Sequence, residues 1–416
     1  MEFYLNNGKM LDKNKDEVLK LKKTILITTL LCSLIASKEI EYQGEISSEF
    51  IVMQHDLDKT RDKEIALRLD IKAKYQIDED KKVVARVQGI GDIGDEERRY
   101  IDVSELYFEH RFPNSAFLIG KNIRSWEAME FYNHTDNFNT KNWLDDPFDF
   151  DSKLGALNFS YSYFLDDASL CVIAKLYENG QKVQDERSSN RFAPLKYSNA
   201  LETSQDRSSP TLYLKYTPKA KDNIDYSLIL EHGYDEQRYL VPVNRRDING
   251  SLKQHSYIVD KLMGYGTLKR GNTIYKSELA LTYSEDSNVA HYSQASLGAE
   301  HTLHKFYKEM DIGGLVEYYK YKAFQKDKYN AKSFNKLFDD DLVLGMRVSQ
   351  NDKYNSELLT GVMIDRHNSE KVYFAEYDTQ INDKYKIGVD LQHLAPHKGS
   401  FFRDVDRIRV ELGYYF

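Results

Sequence analysis

Apolar and polar residues alternate along almost the whole chain from residue 42 onward. Ile65, Leu67, Leu69, Ile71, Ala73, Tyr75 and Ile77 take every second position, and Ala66, Arg68, Asp70, Lys72, Lys74 and Gln76 fill the gaps. Successive strand side chains point to opposite faces, so this period describes a strand with one apolar and one polar face. Similar stripes run through Gly155, Leu157, Phe159, Tyr161 and Tyr163, and through Ala168, Leu170, Val172, Ala174 and Leu176. They return in Tyr275, Ser277, Leu279, Leu281 and Tyr283, and in Leu342, Leu344, Met346 and Val348. Helical spacing competes nowhere, and the chain reads as all-β. The predicted strands are 42–52, 65–77, 82–89, 100–110, 115–121, 153–164, 168–176, 208–216, 224–234, 256–269, 272–283, 290–302, 309–321, 339–349, 356–365, 371–379, 385–394 and 406–416.

The connections between these segments alternate in length. Those after odd-numbered strands are mostly long: 53–64, 90–99, 122–152, 177–207, 235–255 and 322–338. Those after even-numbered strands are short, as at Phe112-Pro113-Asn114, Leu165-Asp166-Asp167 and Arg270-Gly271-Asn272. Transmembrane barrels have this asymmetry, with long external loops and short periplasmic turns. A soluble sandwich has no reason to keep it over so many hairpins. The expected fold is a transmembrane antiparallel β-barrel of about 18 strands, or 16 if a pair is miscounted. Tyr161, Tyr163, Tyr318, Tyr319, Tyr321, Tyr414 and Tyr415 fit aromatic girdles at the membrane interfaces.

Composition agrees with this pattern. Among 416 residues are 31 Tyr, 20 Phe and only 7 Pro, with 30% charged residues and a mean hydropathy of −0.64. No run after residue 40 is long or apolar enough for a membrane helix. A barrel escapes that test, because lumen residues dilute its lipid-facing ones. At the amino terminus Lys20, Lys22 and Lys23 precede an apolar stretch, Thr24–Ile35, and the small residues Ala36 and Ser37. This describes a secretory signal peptide within residues 1–37, with an extended charged n-region; Thr29-Leu30-Leu31 before Cys32 is a poor lipobox. Residues 38–416 then form one domain of net charge about −10, with Cys171 as its single cysteine. An acidic balance without a basic block argues against nucleic acid.

The last segment, Arg407-Ile408-Arg409-Val410-Glu411-Leu412-Gly413-Tyr414-Tyr415-Phe416, has Ile408, Val410 and Leu412 on one face and Arg407, Arg409 and Glu411 on the other. With its terminal aromatic residue it resembles the closing strand of Gram-negative outer-membrane barrels. The resemblance implies that Tyr414 and Phe416 form the signal read by the barrel-assembly machinery. It also implies an outer-membrane setting among lipid and lipopolysaccharide, as a homotrimer or a monomer.

Candidate chemistry concentrates in 122–152. A connection this long is usually functional or disordered, and its aromatic content, including both tryptophans, Trp126 and Trp143, argues against disorder. It looks like the porin loop that folds into the barrel and narrows the pore. Gly120-Lys121 followed by Trp126, Asp136 and Asn139 resembles a stretch of the long substrate-type porins, the OprD-like, alginate-export and major outer-membrane protein groups. Constriction candidates are Arg124, Trp126, Glu127, Glu130, Asp136, Asp145, Asp146 and Asp149. With Asp151, its carboxylates face only Arg124 and Lys141 in the loop, which predicts a weakly cation-selective pore. The same carboxylates could instead be solvated outside or hold a hard cation. Lumen-wall candidates are Arg68, Arg86, Arg347, Arg407, Arg409 and Glu411, with Glu357, Glu376 and Asp390 also inward; their arginines could form a basic wall opposite the loop.

No His-Glu-x-x-His pattern or nucleophile elbow occurs, and the 11 histidines are scattered. The sequence therefore calls for no cofactor, no metal and no catalytic residue. Two functions fit: passive diffusion of small hydrophilic solutes or ions, or a structural or adhesive barrel without conductance. An outer-membrane enzyme is the weaker third.

Overall fold

The computed structural model describes residues 40–55, 62–144, 146, 149, 151–183, 188, 196–244, 251–326, 332–333, 338–398, 400 and 403–416. The segment 1–37 expected to be a signal peptide, with Cys32, and Asp145 lie outside the described residues.

Eighteen strands form one closed sheet. They are β1 (Ile40–His55), β2 (Lys63–Gln76), β3 (Lys81–Asp92), β4 (Tyr100–Phe112), β5 (Ser115–Asn122), β6 (Ala156–Phe164), β7 (Ala168–Lys175), β8 (Thr211–Pro218) and β9 (Ile224–Tyr234). The second half comprises β10 (Ile258–Arg270), β11 (Thr273–Ser284), β12 (Tyr292–Tyr307), β13 (Met310–Ala323), β14 (Asp340–Ser349), β15 (Glu357–Asp365), β16 (Lys371–Asn382), β17 (Tyr385–Ala395) and β18 (Val405–Tyr415). Each pairs antiparallel with its neighbours in sequence, and β18 closes on β1 from Glu45↔Tyr415 to His55↔Val405. Phe416 extends this seam, since its N–H donates to Gly44 O at 3.1 Å and its carbonyl accepts from Gly44 N at 3.0 Å. Closure leaves none of the eighteen barrel strands as a sheet edge.

The parity of the sequence sets the two faces. On β18, Ile408, Val410 and Leu412 are 48%, 38% and 46% exposed on the outer wall, whereas Arg407 on the inner wall is 1% exposed. An outer belt of Leu, Ile, Val and Phe is the surface a bilayer covers. Parity also corrects the girdle reading. Tyr161 and Tyr163 stand on the outer wall, but Tyr319 and Tyr321 are buried inside, because odd positions of β13 face the lumen. Tyr415 likewise lines the lumen.

Most strand ends shift by a few residues, as in β1 and β12, and two of the differences change the pairing. The predicted 153–164 strand breaks at Gly155, where a Cβ would lie 1.8 Å from Ser104 O. Lys153–Leu154 pairs instead with Thr140–Lys141 in a small ribbon. The predicted 256–269 strand begins after Tyr257, and Leu252–Ser256 joins a separate external sheet with Tyr197–Thr203, Tyr239–Pro242 and Lys332–Ser333.

Candidate functional site

The connection between β5 and β6 starts and ends at glycines where the walls crowd. Gly120 has φ +134°, and a Cβ there would lie 2.3 Å from Leu106 O. With Gly155 at the other end, both necks of the loop press against β4 more closely than a side chain allows. Asn139 ties the necks together: its Oδ1 accepts from Arg124 N at 2.7 Å, and its Nδ2 donates to Asn122 O and Leu154 O at 3.1 and 2.9 Å.

From there residues 126–142 pack against the inner wall. Trp126 and Phe138 sit in a cluster with Ile173, Tyr213, Ile229, Met263 and Ala280, drawn from β7 to β11. Burial of each large apolar side chain contributes about 2 kcal/mol or more. Inward carboxylates then receive loop donors. Glu278 accepts from Ala128 N and Thr135 N at 2.9 and 3.3 Å, and Glu317 accepts from Glu130 N and Phe131 N at 2.8 and 3.3 Å. Glu231 takes Asn137 Nδ2 at 2.6 Å, and Tyr319 Oη takes Tyr132 N at 3.2 Å. These donors would otherwise be buried without partners, at about 1–3 kcal/mol each.

The loop's acidic residues divide by location. Asp136 is buried between Lys141 Nζ at 3.0 Å and Lys153 Nζ at 2.7 Å. Burial alone would raise its pKa, but the two ammonium groups hold it below the usual carboxylate range. Lys141 is conversely held high by Asp136 against the effect of its burial. Glu127 shares Lys153 at 3.2 Å, and Glu130 pairs with Arg347 and with Lys276 at 3.5 Å. Asp146 accepts from Arg407 at 2.8 Å and Arg409 at 3.1 Å. Asp149 accepts the N–H groups of Asp151 and Ser152, and both aspartates face the open lumen. Glu127, Asp136 and Asp151 bring carboxylate oxygens within 4.8 Å of one another, the arrangement that would suit a hard cation. Lys141 and Lys153 already supply positive charge there.

The predicted residues thus separate into two groups. Glu130, Asp146, Asp149, Arg68, Arg409 and Glu411 border an open cavity of about 650 Å³, whereas Trp126, Asp136 and Arg124 belong to the loop's own core. Arg124 donates to Ser160 Oγ at 2.7 Å and stacks over Phe138 at 5.4 Å. The wall arginines are all paired with carboxylates: Arg68 with Glu49 at 3.3 Å, Arg86 with Asp70 at 2.8 Å, Arg347 with Glu357 and Glu130, and Arg409 with Asp390 at 2.5 Å, Asp146 at 3.1 Å and Glu49 at 3.6 Å. They cross-brace the wall, with Arg68 and Arg409 meeting at Glu49 and Arg407 and Arg409 meeting at Asp146. Lys153, Glu231, Glu278, Glu317 and His134 were not singled out by sequence. Strand parity is consistent with the inward position of the three glutamates, but nothing local marks a carboxylate as a loop anchor.

His134 is buried against the rings of Tyr132 and Tyr319, at 5.2 and 5.8 Å. Neither ring nitrogen has a hydrogen-bond partner among the described residues, and burial pushes its pKa down to about 3. Burial raises Tyr132 to about 12.

No model of a known family and no curated protein sequence matches the chain. Among solved structures it is similar to OccAB4 of Acinetobacter baumannii, with a TM-score of 0.56, 10% identity, and 92% of this chain and 99% of that one covered. OccK8 (OprE) of Pseudomonas aeruginosa gives 0.54 at 12% identity over 91% and 98%. OccK11 (OpdR) of the same species gives 0.53 at 11% over 91% and 96%. The chain therefore has the fold of the Occ, OprD-like outer-membrane porins: a closed barrel of eighteen antiparallel strands.

Proposed function

We propose that the protein is an outer-membrane diffusion channel with a preference for cations. One observation carries the reading: the open cavity between the loop and β14–β18 with β1–β3 is lined by thirteen carboxylate side chains and by three cationic ones, Arg68, Lys386 and Arg409. A narrow passage with low-dielectric walls focuses such a field, concentrating cations and excluding anions. The porin-type fold and the apolar outer wall support the outer-membrane setting. The terminal seam formed by Phe416 supports its part in assembly. Movement through the channel is passive, down the solute gradient.

Reversal potentials in planar bilayers under a KCl gradient test the reading. A potential of the sign set by K⁺ is expected, and a chloride-dominated one overturns it. Complete absence of single-channel steps would favour the structural or adhesive barrel. Val410→Arg tests the seam, because a cation on the lipid face costs about 2–4 kcal/mol near the midplane. Loss of heat-modifiable folded barrel is the expected result.

A further inference from the structure

We infer that the open side of the lumen is a subsite for amphipathic organic cations, amines that carry an apolar body. The inference rests on the cation-pathway reading above and deepens it.

Antiparallel register aligns the inward residues of β14–β18 into rows. Val343 opposes Met363, Met363 opposes Val372, Val372 opposes Leu394, and Leu394 opposes Val405. That is one apolar row across five strands. On one side of it Asp341 opposes Asp365. On the other, past Phe374, a row runs from Arg347 through Leu359, Glu376 and Asp390 to Arg409, with an arginine at each end. An apolar band is thus bordered along the pore by carboxylates on both sides.

Inner walls of aqueous barrels are expected to be polar, so this band needs a reason. Part of it is covered: Val343 and Phe374 pack under the loop with Met129, Tyr132 and Phe338, and Leu394 and Val405 pack with Ile51 and Met53. Leu359, Met363, Val372 and the loop's Phe131 remain part-exposed and border the cavity. The Phe131 and Phe374 rings meet at 4.7 Å and 58°, extending the patch onto the loop. Meanwhile Glu376, Asp341 and Asp365 have no cationic side chain within 4.0 Å among the described residues.

An inorganic cation gains from the carboxylates and nothing from the band. An alkyl or aryl ammonium gains from both, with its charge on Glu376 or the Asp341–Asp365 pair and its body on Leu359, Met363 and Val372. Phe131 adds a ring face for the cation. An apolar anion meets the same band but is repelled by its borders. A cavity of about 650 Å³ has room for such a molecule.

The full chain in planar bilayers is tested with tetramethylammonium, benzyltrimethylammonium and benzoate, reading the concentration that halves the K⁺ current. Benzyltrimethylammonium is expected to act at about tenfold lower concentration than tetramethylammonium, the gain from shielding its ring. Benzoate is expected to have no effect in that range. Met363→Ser with Val372→Ser should bring the two ammonium values together, and the near-isosteric Val372→Thr should bring them part of the way. Equal potency of the ammonium ions on a cation-selective channel overturns the subsite and leaves the cation pathway standing. Chloride preference overturns both. An undiminished ratio in a conducting Val372→Thr or double variant overturns the assignment to this band.

Discussion

On β9, β11 and β13 the inward carboxylates Glu231, Glu278 and Glu317 are buried beneath the loop and accept its hydrogen bonds, whereas on β16 and β17 Glu376 and Asp390 border open lumen. Both sets occupy inward positions of similar strands. The difference lies in what covers them. Under the loop a carboxylate is an acceptor that seats backbone donors; opposite it, the same group leaves a field in water. One side of the barrel is therefore anchorage and the other is open lumen.

The largest effect that separates the two sides comes from the loop's interior. Asp136→Ala removes the group shared by Lys141 and Lys153, both nearly buried. Breaking a buried pair in this way costs about 3–5 kcal/mol. The loop should leave its seat, raising single-channel conductance and opening the segment to protease. A variant with wild-type conductance and protection would show that the loop does not depend on this lock.

Acid should act more gently on the same side. His134 has a pKa of about 3 when seated, against about 6.5 in a released loop. Between those values the released loop binds a proton that the seated one refuses, so seating weakens as pH falls below about 6.5, by about 1.4 kcal/mol per unit. Near pH 5 the loss is roughly 2 kcal/mol by the same arithmetic. Asp136 does not contribute there: its depressed pKa keeps its stabilisation present above the ordinary carboxylate range, to be lost only as pH falls through the lowered value. Conductance recorded from pH 7 to 5 should show growing open excursions, and His134→Phe should flatten the trend. An unchanged trend in that variant would move the titration to another group.

The smallest effect belongs to the open side. Arg409→Gln removes one of the three cationic side chains that line the cavity and relieves Asp390 and Asp146 of a partner. The K⁺ over Cl⁻ permeability ratio should rise, by about twofold for one charge in a water-filled passage. Loop protection should stay as in the wild type. A falling ratio would mean that Arg409 does not face the permeating ions.

The strand from Lys63 to Gln76 shows how much could be read from sequence. Its alternation is a property of local backbone geometry, repeated every two residues, so register with the bilayer and the lumen follows from parity. The same logic put Arg407, Arg409 and Glu411 inside and Ile408, Val410 and Leu412 outside. It failed where the wall bends into a loop. Gly155 looked like one more strand position, and only the approach of Ser104 O shows why the strand must start later.

The candidate site was legible as a segment and not as an arrangement. Loop 122–152 stood out by length, aromatic content and acidity, and the Gly120, Trp126, Asp136 and Asn139 pattern turns out to be its scaffold: neck, core, lock and tie. Its acidic residues could not be sorted in advance. Asp136 and Asp149 are equivalent in sequence, yet one is enclosed by two lysines and the other faces water.

By itself the sequence determined the barrel, a strand number of about 18, the alternation of faces along its strands and the end that carries the long loops. These follow from period-two alternation and turn length, which act between near neighbours. Only the tertiary structure decided which side of the lumen the loop occupies, which carboxylates it consumes and which remain to meet a solute. Those outcomes join residues more than a hundred positions apart, such as Ala128 with Glu278 and Asp146 with Arg407. Their pairing depends on shape and on competing burial costs that no local pattern encodes.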